Sequence, residues 1–166
     1  MGLDACVYCD CVEKGRFKTP HPFPRLLYIA ADGRPEIRSK DPAKLQQHDE
    51  WSEGSPCKHG LELYSCRLGS SGGIDTIYHL VQGLSAAPHK AYPVLWKKVI
   101  YCGSHTGDCL KIPDVIRLRN EISQLRKIDF RKANVSPEDL RYVREFIANQ
   151  TTLVTVSLRV KKPIAF

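Results

Sequence analysis

Leu3-Asp4-Ala5-Cys6-Val7-Tyr8-Cys9-Asp10-Cys11 opens with a short, partly alternating apolar run and ends in two closely spaced cysteines. Such alternation reads as a buried strand, and it delivers Cys9 and Cys11 to the strand's end. A second pair, Cys57-Lys58-His59, sits in a turn between Gly54-Ser55-Pro56 and an alternating strand expected over residues 61–68. The two pairs together offer three thiols and an imidazole, the donor number of a tetrahedral zinc site. One structural zinc ion there would clamp the first strand to the turn before the later one. The C-x-C and C-x-H spacings are tighter than the usual C-x₂-C knuckle. Cys6 has that usual gap to Cys9 and could replace Cys11, but on a regular strand it faces away from Cys9. In the competing account, Cys6, Cys9 and Cys66 are small core residues and His59 is an exposed turn histidine.

Outward from these pairs, the elements follow from local signals. Residues 19–24 hold three prolines in six positions, which excludes a helix or a central strand. Asp32-Gly33 is a turn dipeptide between two short strands at 26–30 and 36–38. Asp41-Pro42 starts a polar helix that runs to about Trp51. Ile74, Ile77, Tyr78, Val81 and Leu84 recur at helical spacing, as do Val115, Leu118, Ile122 and Leu125. Ser136-Pro137-Glu138-Asp139 starts another helix. Residues 151–160 carry both a β-branched composition and a helical stripe, and are read as a continuation of that helix. Val99-Ile100-Tyr101-Cys102 is a compact apolar run expected to form a central strand, and residues 163–166 a short final one. Strands interspersed with helices, without regular βαβ alternation, predict one α+β domain over residues 1–166. Its expected architecture is a mixed sheet with three to four helices mainly on one face.

The chain has 166 residues, enough to bury roughly two thirds of the surface its unfolded form exposes. No stretch resembles a membrane span or a cleavable leader, which predicts a cytoplasmic protein with no membrane partner. Seven cysteines cannot all pair within one chain, so thiols or metal thiolates are expected rather than disulfides. The net charge of +7 favours anionic partners, but its lysines and arginines are scattered. The pattern predicts at most weak, non-specific nucleic-acid binding.

A second constellation is Cys102-Gly103-Ser104-His105-Thr106-Gly107-Asp108-Cys109. A glycine-rich loop after a strand can line a pocket. There His105 could act as a general base or metal ligand with Asp108 orienting it, and Cys102 or Cys109 could be a nucleophile. In the structural account, the glycines permit tight turns while Ser104 and Asp108 bond the turn's amides. Gly69-Ser70-Ser71-Gly72-Gly73 ahead of a helix could cradle a phosphate, but it lacks the Walker lysine and reads better as a flexible turn.

Met1-Gly2-Leu3-Asp4-Ala5-Cys6-Val7-Tyr8-Cys9, the unit around Gly-Ser-His-Thr-Gly-Asp, and Lys162-Pro163-Ile164-Ala165-Phe166 together resemble small bacterial proteins of unknown activity. The middle unit is similar to one in immunity proteins of polymorphic toxin systems. The resemblance implies an inhibitor that acts by binding a protein and transfers no catalytic residue. Three function classes follow: a zinc-stabilised binding module of immunity type, a small metal-dependent or His/Asp-dependent hydrolase, and a basic nucleic-acid-binding accessory protein.

Overall fold

The computed structural model describes residues 2–101, 105, 108–130 and 136–166. It is an α+β fold. Strand β1 (Gly2–Tyr8) alternates as the sequence predicts, with Leu3, Ala5 and Val7 buried on one face. The short strands β2 (Leu27–Ile29) and β3 (Pro35–Ile37) form a separate hairpin about Gly33, whose φ of 92° suits glycine. Helix α1 (Pro42–Glu53) is capped by the Asp41 carboxylate, which accepts from the Ala43 amide. Strand β4 (Glu62–Ser70) runs straight into helix α2 (Ser71–Leu84), with the Ser70 hydroxyl accepting from the Gly73 amide.

A short helix α3 (Pro88–Ala91) leads to a π-helical turn at Leu95–Val99, and its last residue with the bend at Ile100 and Tyr101 stands where the central strand from Val99 was expected. Val99 and Ile100 are fully buried, so the apolar run that starts at Val99 has no polar face of its own to reveal its period. The buried carboxylate of Glu121 accepts from the Val94 and Leu95 amides at 3.1 and 2.8 Å. It thereby caps the turn and favours helical over extended backbone here. Cys102 lies outside the described residues.

The chain continues through strand β5 (Cys109–Leu110), helix α4 (Ile112–Leu125), helix α5 (Pro137–Val160) and strand β6 (Ile164–Ala165). Helix α5 confirms the continued-helix reading of residues 151–160. Its threonines fit because the hydroxyls of Thr151, Thr152 and Thr155 each donate to the carbonyl four residues back.

The main sheet has the order β4-β1-β6-β5, and among the described residues every pairing is antiparallel, where a mixed sheet was expected. The run at 99–101 contributes no strand, and β6, returning from α5, takes the inner position beside β1. Helices α2, α4 and α5 cover the face bearing Leu3, Ala5 and Val7 and build one continuous core with Ile77, Leu118, Phe146 and Leu153. The β4 edge is partly covered, since Asn149 and Tyr142 of α5 donate to the Arg67 and Leu68 carbonyls. A smaller cluster of Tyr8, Cys9, Cys11, Trp51, Cys57 and Leu61 lies where β1 ends and β4 begins. Among the described residues, no helix is long and apolar enough to cross a membrane.

Candidate metal centre

Two turns, each locked by its own hydrogen bonds, build the site. At the exit of β1 the Cys9 amide donates to the Leu61 carbonyl at 2.7 Å, so the two ligand segments are joined by backbone. The chain then turns back through Gly15, at φ 61°, and the Arg16 amide closes the loop on the Cys11 carbonyl. Lys14 and Arg16 flank Asp10 as ion pairs. On the other side, Gly60 and Leu61 both adopt left-handed backbone, at φ 60° and 71°. That conformation is costly for a leucine, and it turns the Leu61 amide onto the Cys57 sulfur at 3.4 Å. The Pro56 carbonyl accepts from the Lys18 and Thr19 amides and ties the two turns together a second time.

These turns bring together all four residues that the sequence singles out. The Sγ atoms of Cys9, Cys11 and Cys57 and a ring nitrogen of His59 lie within 4.8 Å of one another. Cys9 Sγ is 3.7 Å from Cys57 Sγ, and Cys11 Sγ is 3.3 Å from His59 Nδ1. The three cysteines are 1–3 % exposed and His59 is half-buried. Burial pushes the Cys9 thiol up to about 12 and raises Cys11 as well. Burial acts the same way on Cys57, but hydrogen bonds from the Leu61 and His59 amides and from the Cys9 and Cys11 thiols together outweigh it and draw that thiol down. The arrangement is a buried Cys₃His cluster positioned to hold a metal ion.

Cys6 takes no part. It is half-buried beside Tyr8 on the other face of β1, as the alternation predicts, and burial raises its thiol to about 11. Cys66 is likewise half-buried and outside the cluster. Both behave as the packing residues of the competing account, whereas Cys9 does not.

The second constellation is only partly assembled. His105 lies between the rings of Tyr101 and Phe166, its side chain 10 % exposed, and burial draws its pKa down. Its Nδ1 is 3.8 Å from Asp108 and has no hydrogen-bond partner among the described residues. The Asp108 carboxylate instead accepts from the Tyr101 hydroxyl, and its backbone carbonyl accepts from the Phe166 amide. The two candidate residues are therefore close without forming the hydrogen bond of an acid–base dyad. Gly103, Ser104, Thr106 and Gly107 lie outside the described residues.

The Gly69–Gly73 stretch is neither an open cradle nor a flexible turn. Gly69 and Ser70 belong to β4, and a Cβ at Gly69 or Gly73 would fall 1.6 or 2.3 Å from the Tyr142 hydroxyl oxygen. The glycines make room for that ring.

Two histidines that the sequence reading left without a role sit against Trp51. His21 and His48 are both buried, with His21 Nε2 3.0 Å from His48 Nδ1. The Phe23 amide donates to His21 Nδ1, so the His21 proton is on Nε2 and is directed at His48. Residues 21 and 48 belong to a loop and a polar helix, and no periodicity links them.

No family model, no curated protein and no solved structure matches this chain.

Proposed function

We propose that this chain is a zinc-stabilised binding module in which Cys9, Cys11, Cys57 and His59 hold a structural zinc ion and the surface of the fold engages a protein partner. The observation that carries the metal assignment is the closed Cys₃His set. A tetrahedral zinc with Zn–S near 2.3 Å and Zn–N near 2.0–2.1 Å has ligand–ligand edges of about 3.8 Å for S···S and about 3.6 Å for S···N. The separations of 3.7 Å for Cys9–Cys57 and 3.3 Å for Cys11–His59 are near such edges, and all four donors lie within 4.8 Å of one another. Thiolate-rich sets suit zinc over the hard cations magnesium and calcium. Four protein donors in a buried pocket leave no position for a substrate or a reactive water, which supports a structural metal rather than a catalytic one. With the ion closed off, the fold acts through its surface. The resemblance to immunity proteins supplies the kind of partner to test, a toxin domain inhibited by contact.

The test is elemental analysis of protein purified without chelator, with about one zinc per chain as the expected result. Cys9→Ser or Cys57→Ser should remove it. Zinc held at about a thousand times its dissociation constant stabilises the folded state by about 4 kcal/mol, so a strong chelator should lower the melting temperature clearly. Protein that is metal-free after growth in zinc, or whose melting temperature ignores the chelator, would overturn the assignment.

A further inference from the structure

A recess of about 350 Å³ opens where the C-terminal end of α1 meets the β2–β3 hairpin and the first residue of β4, beside the metal turns. That volume lies at the small end of the range for organic-ligand sites. Its charge sets it apart from the rest of this basic chain. Among the described residues, most of the 18 carboxylates hold an ion pair or a hydrogen bond, whereas Asp4, Asp49, Glu53, Glu62, Glu138 and Glu145 hold neither. Three of those six, Asp49, Glu53 and Glu62, line the recess. Asp49 and Glu53 stand one turn apart on α1 at its C-terminal end, and no basic residue occupies the last turn. Like charges at that spacing repel, and a helix C-terminus already carries partial negative charge, so the placement works against the fold. Local rules broken in this way are expected at sites kept for binding.

A second, independent feature is a buried donor. His48 lines the recess and is 8 % exposed. Because the His21 proton is directed at it, His48 Nδ1 is the acceptor, and the neutral ring carries its own proton on Nε2. That Nε2–H has no partner among the described residues. Arg34 lines the recess as well. Its Nε donates to the Tyr8 hydroxyl at 3.0 Å, which holds the guanidinium in place, while its Nη groups make no hydrogen bond among the described residues. We infer that this recess is a binding site for a small zwitterion, an α-amino acid. Its ammonium neutralises Asp49, Glu53 and Glu62, and its carboxylate accepts from the Arg34 guanidinium and the His48 Nε2–H. Each simpler occupant answers only half of the lining. An anion alone would meet three unpaired carboxylates, and a cation alone would leave the buried His48 donor unmet. A metal ion fits less well again, since among the described residues the Cys₃His set is the group that brings three or more such donors to metal distance. The second site does not depend on what fills that cluster.

The test uses the full chain with zinc bound and each standard L-amino acid in turn, at up to millimolar concentration, followed by ligand-observed NMR and then by calorimetry. At least one should bind saturably, and its N-acetyl and methyl-ester forms, which each lack one charge, should bind at least about tenfold more weakly. The variant Glu53→Gln/Glu62→Gln should weaken binding by about tenfold or more. The same charge change at unpaired carboxylates outside the recess, Glu138→Gln/Glu145→Gln, should leave it within about twofold of the parent, as expected for a local contact. The long-range ¹H–¹⁵N spectrum should show His48 protonated on Nε2, with that signal shifting on binding. Circular dichroism and zinc content should be unchanged in both variants, so loss of the fold or of the metal is read separately from loss of the recess. No saturable binding, an equal loss in the control, full binding of a singly charged form, a His48 proton on Nδ1, or tighter binding of calcium than of any amino acid would each overturn the proposal. In every one of these cases a full zinc complement would leave the metal assignment standing.

Discussion

Gly69→Ala separates crowding by Tyr142 from any ligand-binding role of the glycine-rich stretch. A Cβ added at Gly69 falls 1.6 Å from the Tyr142 hydroxyl oxygen, 2.9 Å from its Cζ and 3.3 Å from Ile74 Cδ1. Atoms cannot approach so closely, so the ring must leave its place and with it the hydrogen bond it donates to the Leu68 carbonyl at 3.2 Å. Overpacking of this kind costs about 1–3 kcal/mol, and the lost hydrogen bond adds about 1 kcal/mol. Alanine's less flexible unfolded backbone returns roughly 0.5–1 kcal/mol in a strand. The net loss is about 1–3 kcal/mol, which for a chain of this size lowers the melting temperature by about 2–12 °C. The decisive measurement is a double-mutant cycle in urea. In a Tyr142→Ala background the same Gly69→Ala change should cost almost nothing, because the obstacle is gone. Equal destabilisation in both backgrounds, or a Gly69→Ala protein as stable as the parent, would refute the steric account.

Two further predictions rest on buried polar side chains. Gln150 of α5 is fully buried, and neither its amide nitrogen nor its oxygen has a partner among the described residues. The near-isosteric Gln150→Met should therefore stabilise the fold by about 1–3 kcal/mol in urea denaturation, and an unchanged or lower midpoint would show that the amide is satisfied. His21 is held below the ordinary histidine range first by burial and then by His48. The unfolded chain takes up a proton near pH 6.5 that the folded chain refuses, so stability is full above that value and falls as the pH drops below it. His21→Gln should flatten this acid limb by at most about 1.4 kcal/mol per pH unit, measured between pH 7 and 5 with zinc content followed in parallel. Identical pH profiles for parent and variant would remove the histidine pair from the account.

What the sequence discloses about this fold is what neighbouring residues decide together. Asp41-Pro42 and Ser136-Pro137 announce helices because a cap acts within its own turn, and both caps form as read. The ligand pairs are legible for the same reason: Cys9 with Cys11 and Cys57 with His59 are each close in sequence, and only their meeting across 48 residues had to be inferred. The reading misses where a distant residue decides. Val99-Ile100-Tyr101 looks like a strand until the Glu121 carboxylate caps the preceding helical turn at Leu95, 26 residues away. Gly69 and Gly73 look like part of a flexible turn until a tyrosine on α5 occupies their empty side. Strand β5 is two residues long and carries no pattern of its own, so its pairing with β6 leaves no trace in composition. His21 and His48 likewise have no periodic relation to reveal them.

The pairing of Cys6 with Ala165 gives the fold an order of assembly. Residues 2–8 are made almost 160 positions ahead of the neighbour that completes their inner flank, roughly 8–30 s at ordinary synthesis rates. Helices α1 and α2 and the hairpin about Gly33 close over short separations and can form meanwhile. The metal turns need only the chain up to Leu61, which bonds both Cys9 and Cys57, so an ion captured early would hold β1 against the start of β4 while the rest is being made. On that timetable a metal ion in the Cys₃His cluster would serve as a clamp during synthesis, fixing the β1–β4 pair to which β6 is later added.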